Sequence, residues 1–169
     1  MDINEYCKKI DSHLAGITDT DQRLEVTAKI LSQAFRVGTD EVAIFVLDGE
    51  KDLLHFMWPR KLKTIGFLPL SSLDSLAART VRDNKPFINN RFASVHHASI
   101  FERVRLEGAE EKPQPIQKII SVPIPGKERL HGAIQISRKG EVADTTVDFT
   151  KYDLDNLAKI AVTLARHLE

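Results

Sequence analysis

Six histidines and one cysteine are the side chains here whose chemistry reaches beyond packing. Cys7 shares a helical stripe with Ile3, Ile10 and Leu14, so it reads as a small core residue. One thiol builds neither an internal disulfide nor a cysteine metal cage. The histidines are His13, His55, His96, His97, His131 and His167. His96 and His97 are adjacent, and neighbours on a helix diverge by about 100°, so they do not converge on one metal. His55 and His131 fall in strand-like segments. No metal is expected. The sequence has no glycine-rich phosphate loop, no Gly-x-Ser-x-Gly elbow and no His-Glu-x-x-His pair. The carboxylates are scattered as on a solvated surface. The expectation is a binding or regulatory protein and not an enzyme.

Charge and composition exclude further classes. The 169 residues carry 24 basic and 24 acidic side chains, so no basic field attracts nucleic acid or an anionic membrane. The chain is 42% hydrophobic and 28% charged, which fits one ordinary globular domain. The start, Met1-Asp2-Ile3-Asn4-Glu5, is acidic, unlike a secretory signal. No apolar run approaches the roughly 18 residues of a membrane span. A cytoplasmic location is expected.

The elements that must position any site follow from periodicity. Residues 1–37 read as two helices, one with Ile3, Cys7, Ile10, Leu14 and Ile17, the next with Leu24, Ala28, Leu31 and Phe35. Asp19 or Thr20 caps the second, and Gly38 is expected to close it. Residues 40–138 hold the sheet and pocket segments. Val42 to Leu47 is a continuous apolar run, as in a strand buried on both faces. Asp48-Gly49 turns it into Leu53–Trp58, and Pro59 stops the hairpin. Arg60-Lys61-Leu62-Lys63 reads as a solvated turn. Ser71 and Asp74 resemble a capping box ahead of a helix bearing Leu73, Leu76, Ala77 and Val81. Pro86-Phe87-Ile88 is a brief strand, Val95 to Val104 a short helix and 106–115 a loop. Lys118–Ile124 and Leu130–Ser137 form a second hairpin around Pro125-Gly126. Thr150 and Asp153 box the start of a final helix over 150–168. Hairpins flanked by amphipathic helices make a single α+β domain with a central antiparallel sheet.

Three strings in this order resemble the GAF domain family. They are Ile120-Ser121-Val122-Pro123-Ile124, then Gly132-Ala133-Ile134-Gln135-Ile136, then Phe149-Thr150-Lys151-Tyr152-Asp153 running to Leu157. Leu70-Ser71-Ser72, the run Ala77 to Val81 and Lys85-Pro86-Phe87-Ile88 agree as well. Arg82-Asp83-Asn84 stands where the family usually has a glycine. The resemblance covers nearly the whole chain, 1–169. It implies a sheet between the terminal helices and a layer of short helices and loops that roofs a pocket. A PAS domain is the alternative fold, which the paired leading helices and long closing helix disfavour.

Members of such a family are sensory or regulatory modules, and the resemblance implies a small-molecule sensor that signals through its terminal helices. The ligand is unknown. Covalent tetrapyrrole is not expected, because Cys7 lies far in sequence from the pocket segments. Haem and cyclic nucleotide remain among the family's ligands. Asn84-Lys85 and Phe149-x-x-x-Asp153 match part of the cyclic-nucleotide pattern, but Leu154 follows where that pattern has glutamate. A reductase of this type would use several cysteines. A dimerisation module without ligand is the other reading.

Candidate ligand-binding residues are Arg91, His96, His97 and Arg103 in the roof, and His131 and Gln135 on one strand face. Together they offer donors to an anionic or carbonyl-bearing ligand. The 131/135 face lies either on the pocket floor or under the terminal helices. The apolar breadth around Leu157, Ile160, Ala161, Val162 and Leu164 suggests a homodimer through the terminal helices. The helical end of the chain suits a fused or separate output domain, and equally a frayed terminus.

Overall fold

A computed structural model describes residues 2–64, 66–95, 114–142 and 145–168. The first helix, α1 (Ile3–Ala15), starts at Asp2, whose carboxylate accepts the Asn4 and Glu5 N–H groups. Helix α2 (Thr20–Phe35) is capped by Asp19 at the Gln22 N–H, 2.7 Å. It ends earlier than Gly38: Arg36 takes the left-handed conformation, φ 54°, and its N–H returns to Ser32. These caps satisfy the N–H and C=O groups that a helix end leaves open.

Strands β1 (Val42–Asp48) and β2 (Leu53–Trp58) form the first hairpin, and β5 (Ile116–Ile124) and β6 (Gly132–Lys139) the second. Two three-residue strands, β3 (Phe67–Pro69) and β4 (Phe87–Asn89), sit at the edges. The six strands run in the order β3-β2-β1-β6-β5-β4, and every pairing is antiparallel. Short edges limit unwanted pairing with other chains. The two hairpins join where β1 meets β6. There Gly132 is required, because a side chain on it would come 1.9 Å from the Phe45 carbonyl oxygen.

Alternation along the strands divides the core. Val42, Ile44, Ile120, Val122, Ile124, Ile134 and Ile136 face α1, α2 and α4 (Lys151–Ala165). Ala43, Phe45, Leu54, Phe56, Ile119 and Ala133 face the other way, toward α3 (Leu76–Asp83), Leu62 and Phe92. The four residues Val42 to Phe45 are all buried, as a strand covered on both faces requires.

Helix α3 begins later than the Ser71/Asp74 pattern predicts. Ser75 is its cap, bonded to the Ala78 N–H at 3.1 Å, and Leu73 lies outside the helix, 88% exposed. Asn84 ends it at φ 46°. Asparagine is among the residues that tolerate this region, so Asn84 supplies the turn usually given to glycine. Thr150 and Asp153 do form a reciprocal capping box at α4. Phe149, just before the cap, is buried beside Leu154 in the same cluster, as in a hydrophobic staple.

The apolar breadth of α4 has a different cause from the one the sequence suggests. Leu157, Ile160 and Ala161 are 0% exposed and Leu164 is 2%, covered by the sheet and α1 of their own chain. Only Val162 of that set faces outward. The arc therefore gives no reason for a second copy.

Candidate functional site

Gln135 stands in the middle of β6, opposite Ala43 on β1 and Ser121 on β5. It lies on the α3 side, which settles the open question of its face. Its amide Nε2 donates to Ser121 Oγ at 3.2 Å, and Ser121 Oγ is 2.7 Å from Thr80 Oγ1 on α3. Thr80 also donates to the Leu76 carbonyl, 2.8 Å. Thr80 and Ser121 are completely buried and Gln135 nearly so. Buried polar groups are costly unless bonded, and here each has a partner. Ala77, Ala78 and Val81 pack around the chain. Their small size lets α3 approach the sheet closely enough for hydroxyl to meet hydroxyl.

His131 immediately precedes β6. Its N–H donates to Ile124 and its carbonyl accepts from Leu47, so it closes the second hairpin. Its ring lies over Gly126, where a side chain would come within 3.1 Å of it. Four residues separate it from Gln135, about 13 Å along a strand. The two do not belong to one contact sphere. Arg91 follows the edge strand β4 and is exposed. Its backbone N–H bonds Asn89 and its carbonyl accepts from Ser94. His96, His97 and Arg103 lie outside the described residues.

The other sequence features have structural occupations. Asp153 is committed to the α4 cap, and Asn90 makes a two-way bond with the Phe149 backbone. The basic turn at 60–63 meets acids of α2: Arg60 with Glu25 at 3.3 Å and Lys63 with Asp21 at 3.0 Å. Lys63 and Lys29 donate hydrogen bonds that hold Asp21 and Glu25 respectively below the ordinary carboxylate values. Cys7 packs half-buried against the terminal-helix core, across the sheet from α3. His13, His55 and His167 lie apart, and His167 bonds Asp11 at 2.6 Å. Among the described residues, no three His, Cys, Asp or Glu side chains cluster as a metal site. Nor is any described helix long and apolar enough to cross a membrane.

Besides Thr80, the buried groups that the sequence reading does not single out include Ser121, Lys118 and Lys139. Ser121 was the visible one: a lone hydroxyl within Ile119-Ile120-Ser121-Val122 asks for a partner. The Lys118 and Lys139 side chains are 7% and 6% exposed. Lys118 bonds Asp148 and the Thr146 carbonyl, each at 2.5 Å, and Lys139 bonds the Asp40 carbonyl at 3.0 Å. They clip the loops to one end of the sheet.

No protein-family profile and no curated protein sequence matches the chain. Solved structures do. The GAF domain of an Acinetobacter phosphoenolpyruvate-protein phosphotransferase superposes with TM-score 0.74 at 12% identity, covering 98% of this chain and 92% of that one. The corresponding Coxiella burnetii domain gives 0.73 at 16%, covering 99% and 93%. The free methionine-R-sulfoxide reductase of Neisseria meningitidis gives 0.69 at 18%, covering 98% and 87%. Identities this low carry the architecture alone. With the antiparallel sheet, the terminal helices on one face and α3 on the other, the chain has a GAF-like fold.

Proposed function

We propose that this chain is a regulatory domain that holds a small molecule on the α3 side of the sheet and passes occupancy to its terminal helices. The observation that carries the reading is the asymmetry of the two faces. The terminal-helix side is closed by aliphatic packing, and a cavity there beside Leu14, Ile44, Ile134 and Leu164 measures about 10 Å³, room for a single water. The α3 side combines the aromatic rings of Phe45, Phe56 and Phe92 with the carboxamide of Gln135. Binding sites for small molecules pair an apolar lining with a few polar groups in this way.

In this reading the domain works in the cytoplasm and catalyses nothing. Its single thiol, Cys7, is on the wrong face of the sheet to serve a reductase centre near α3. A second copy of the chain or an output domain would meet the outer side of α1 or α4, where Val162 is half exposed. A ligand-free dimerisation module is the second reading, and the close seating of α3 at Thr80 and Ser121 favours it. Native mass spectrometry of freshly purified protein separates the two. The first expects mass above the bare chain that is lost on mild activation; the second expects a ligand-free dimer. Methionine sulfoxide reduction that disappears in Cys7→Ser would overturn both.

A further inference from the structure

We infer that the site beside α3 takes a neutral, flat molecule that donates a hydrogen bond, with Gln135 Oε1 as its acceptor. This rests on the ligand-binding reading of that face. The direction of the buried protons leads to it. A carbonyl oxygen only accepts, so the Thr80 hydroxyl proton points at Leu76. Thr80 Oγ1 is then the acceptor for the Ser121 hydroxyl, 2.7 Å away. With its own proton committed, Ser121 Oγ accepts, and the Gln135 amide N–H is the donor at 3.2 Å. Turning the amide over would set Oε1 against an oxygen with no proton to give. The chain runs one way, from Gln135 through Ser121 and Thr80 to Leu76, and such chains polarise cooperatively.

Its open end is therefore an acceptor. Gln135 keeps 5% of its surface accessible, and no described residue donates to Oε1. The sheet residues around it are small: Ala43 and Ser121 across the ladder, Ala133 and Ser137 along the strand. Phe45 and Phe56 stand beyond Ala43 and Ala133, their rings 4.5 Å apart. A carboxylate or phosphate set there would oppose a carbonyl oxygen, and Arg91 is two strands away at the sheet edge. This polarity is the reverse of the anionic or carbonyl-bearing ligand that the basic roof residues suggest.

Indole and benzofuran form a matched pair of probes, alike in shape, one with an N–H donor and the other with an oxygen. Their affinities for the full chain are measured by ligand-observed NMR titration. The wild type is expected to bind indole about fivefold more tightly, the effect of one ordinary hydrogen bond. Gln135→Met should bind both alike. Gln135→Leu also removes the acceptor and should lose the preference in the same way, which covers the case in which Gln135→Met does not fold. Equal binding of the two probes by the wild type, or a preference that survives Gln135→Met, would overturn the inference and leave the pocket standing. Failure of both probes to bind at millimolar concentration would overturn the pocket reading together with it.

Discussion

On one face of the sheet Ile44, Ile120, Ile134 and Ile136 meet Leu31, Leu157 and Ile160, aliphatic against aliphatic. On the other, α3 meets β5 and β6 through Ala77, Ala78 and Val81, with Thr80, Ser121 and Gln135 linked beneath it. The first interface is held by shape and area, which are forgiving of direction and unforgiving of lost volume. The second has less apolar area and a fixed hydrogen-bond order. Such a polar chain adds little net free energy, yet it specifies one register for α3. Stability is thus concentrated on the terminal-helix face. The α3 face is the one on which the proposed ligand reading rests.

The largest expected effect tests that division directly. Leu157→Ala removes a side chain that is 0% exposed between α4 and the sheet. It should destabilise by roughly 2–5 kcal/mol, a fall in Tm on the order of 10 °C for a domain of this size. Leu157→Glu with Leu164→Glu should unfold the chain outright, read by circular dichroism. If that double variant stayed folded and only changed its oligomeric state, the helix face would be an interface between copies, and the comparison would fail.

A middle-sized effect belongs to the other face. Ser121→Ala strands the Gln135 N–H and the Thr80 oxygen, at about 1–3 kcal/mol for buried groups left unsatisfied. Thr80→Val should cost a similar amount. The double variant should cost less than the sum, with a coupling above about 0.5 kcal/mol in urea unfolding. Additive costs would mean the two hydroxyls do not act as one chain.

Much of this architecture was legible because local patterns and tertiary packing agree. The hairpins at 42–58 and 118–137 announce themselves by apolar runs around Asp48-Gly49 and Pro125-Gly126. The Thr150/Asp153 box fixes where α4 begins. A pattern is ambiguous where it has two physical causes. Ser71/Asp74 has capping spacing, but Ser75 makes the bond. The wide apolar arc of α4 fits a partner subunit as well as a sheet on one side and α1 on the other. The site was less legible for a related reason. The alternation of Gln135 with Ile134 and Ile136 puts it on the opposite face of β6 from them, but periodicity cannot tell which layer covers that face. Thr80 looked like an ordinary helix residue because its partner is 41 positions away.

A smaller change isolates the start of α4 without touching either interface. Thr150→Ala removes the oxygen that accepts the Asp153 N–H at 3.2 Å and leaves the Asp153 carboxylate its backbone bond. About 1 kcal/mol is the usual cost of losing such a cap. Amide hydrogen exchange should quicken over residues 151–155 and stay unchanged in α3. Faster exchange in both helices would show that the two faces are not independent.

The smallest effect concerns acid pH and the tie between α2 and the 60–63 turn. Asp21 is held below its ordinary 3.8 chiefly by the hydrogen bond from Lys63, then by that ammonium's charge, with Arg60 adding to it. Glu25 is held below its ordinary 4.5 by Lys29 in the same order of causes, again with help from Arg60. In the folded chain these carboxylates resist protonation, so on acidification the unfolded chain takes up protons first. Their contribution is complete above the ordinary values and is lost as pH falls through the lowered ones. Wild-type Tm should therefore drop between about pH 5 and roughly pH 2, over and above the background from other carboxylates. Asp21→Asn should flatten that drop slightly and change Tm little near neutrality, because the pair is exposed and screened. Added salt should shrink the difference between variant and wild type further. Identical pH profiles at low salt would show that the turn is held by the burial of Leu62 alone. The ion pairs would then contribute nothing to the seam between the terminal helices and the α3 side.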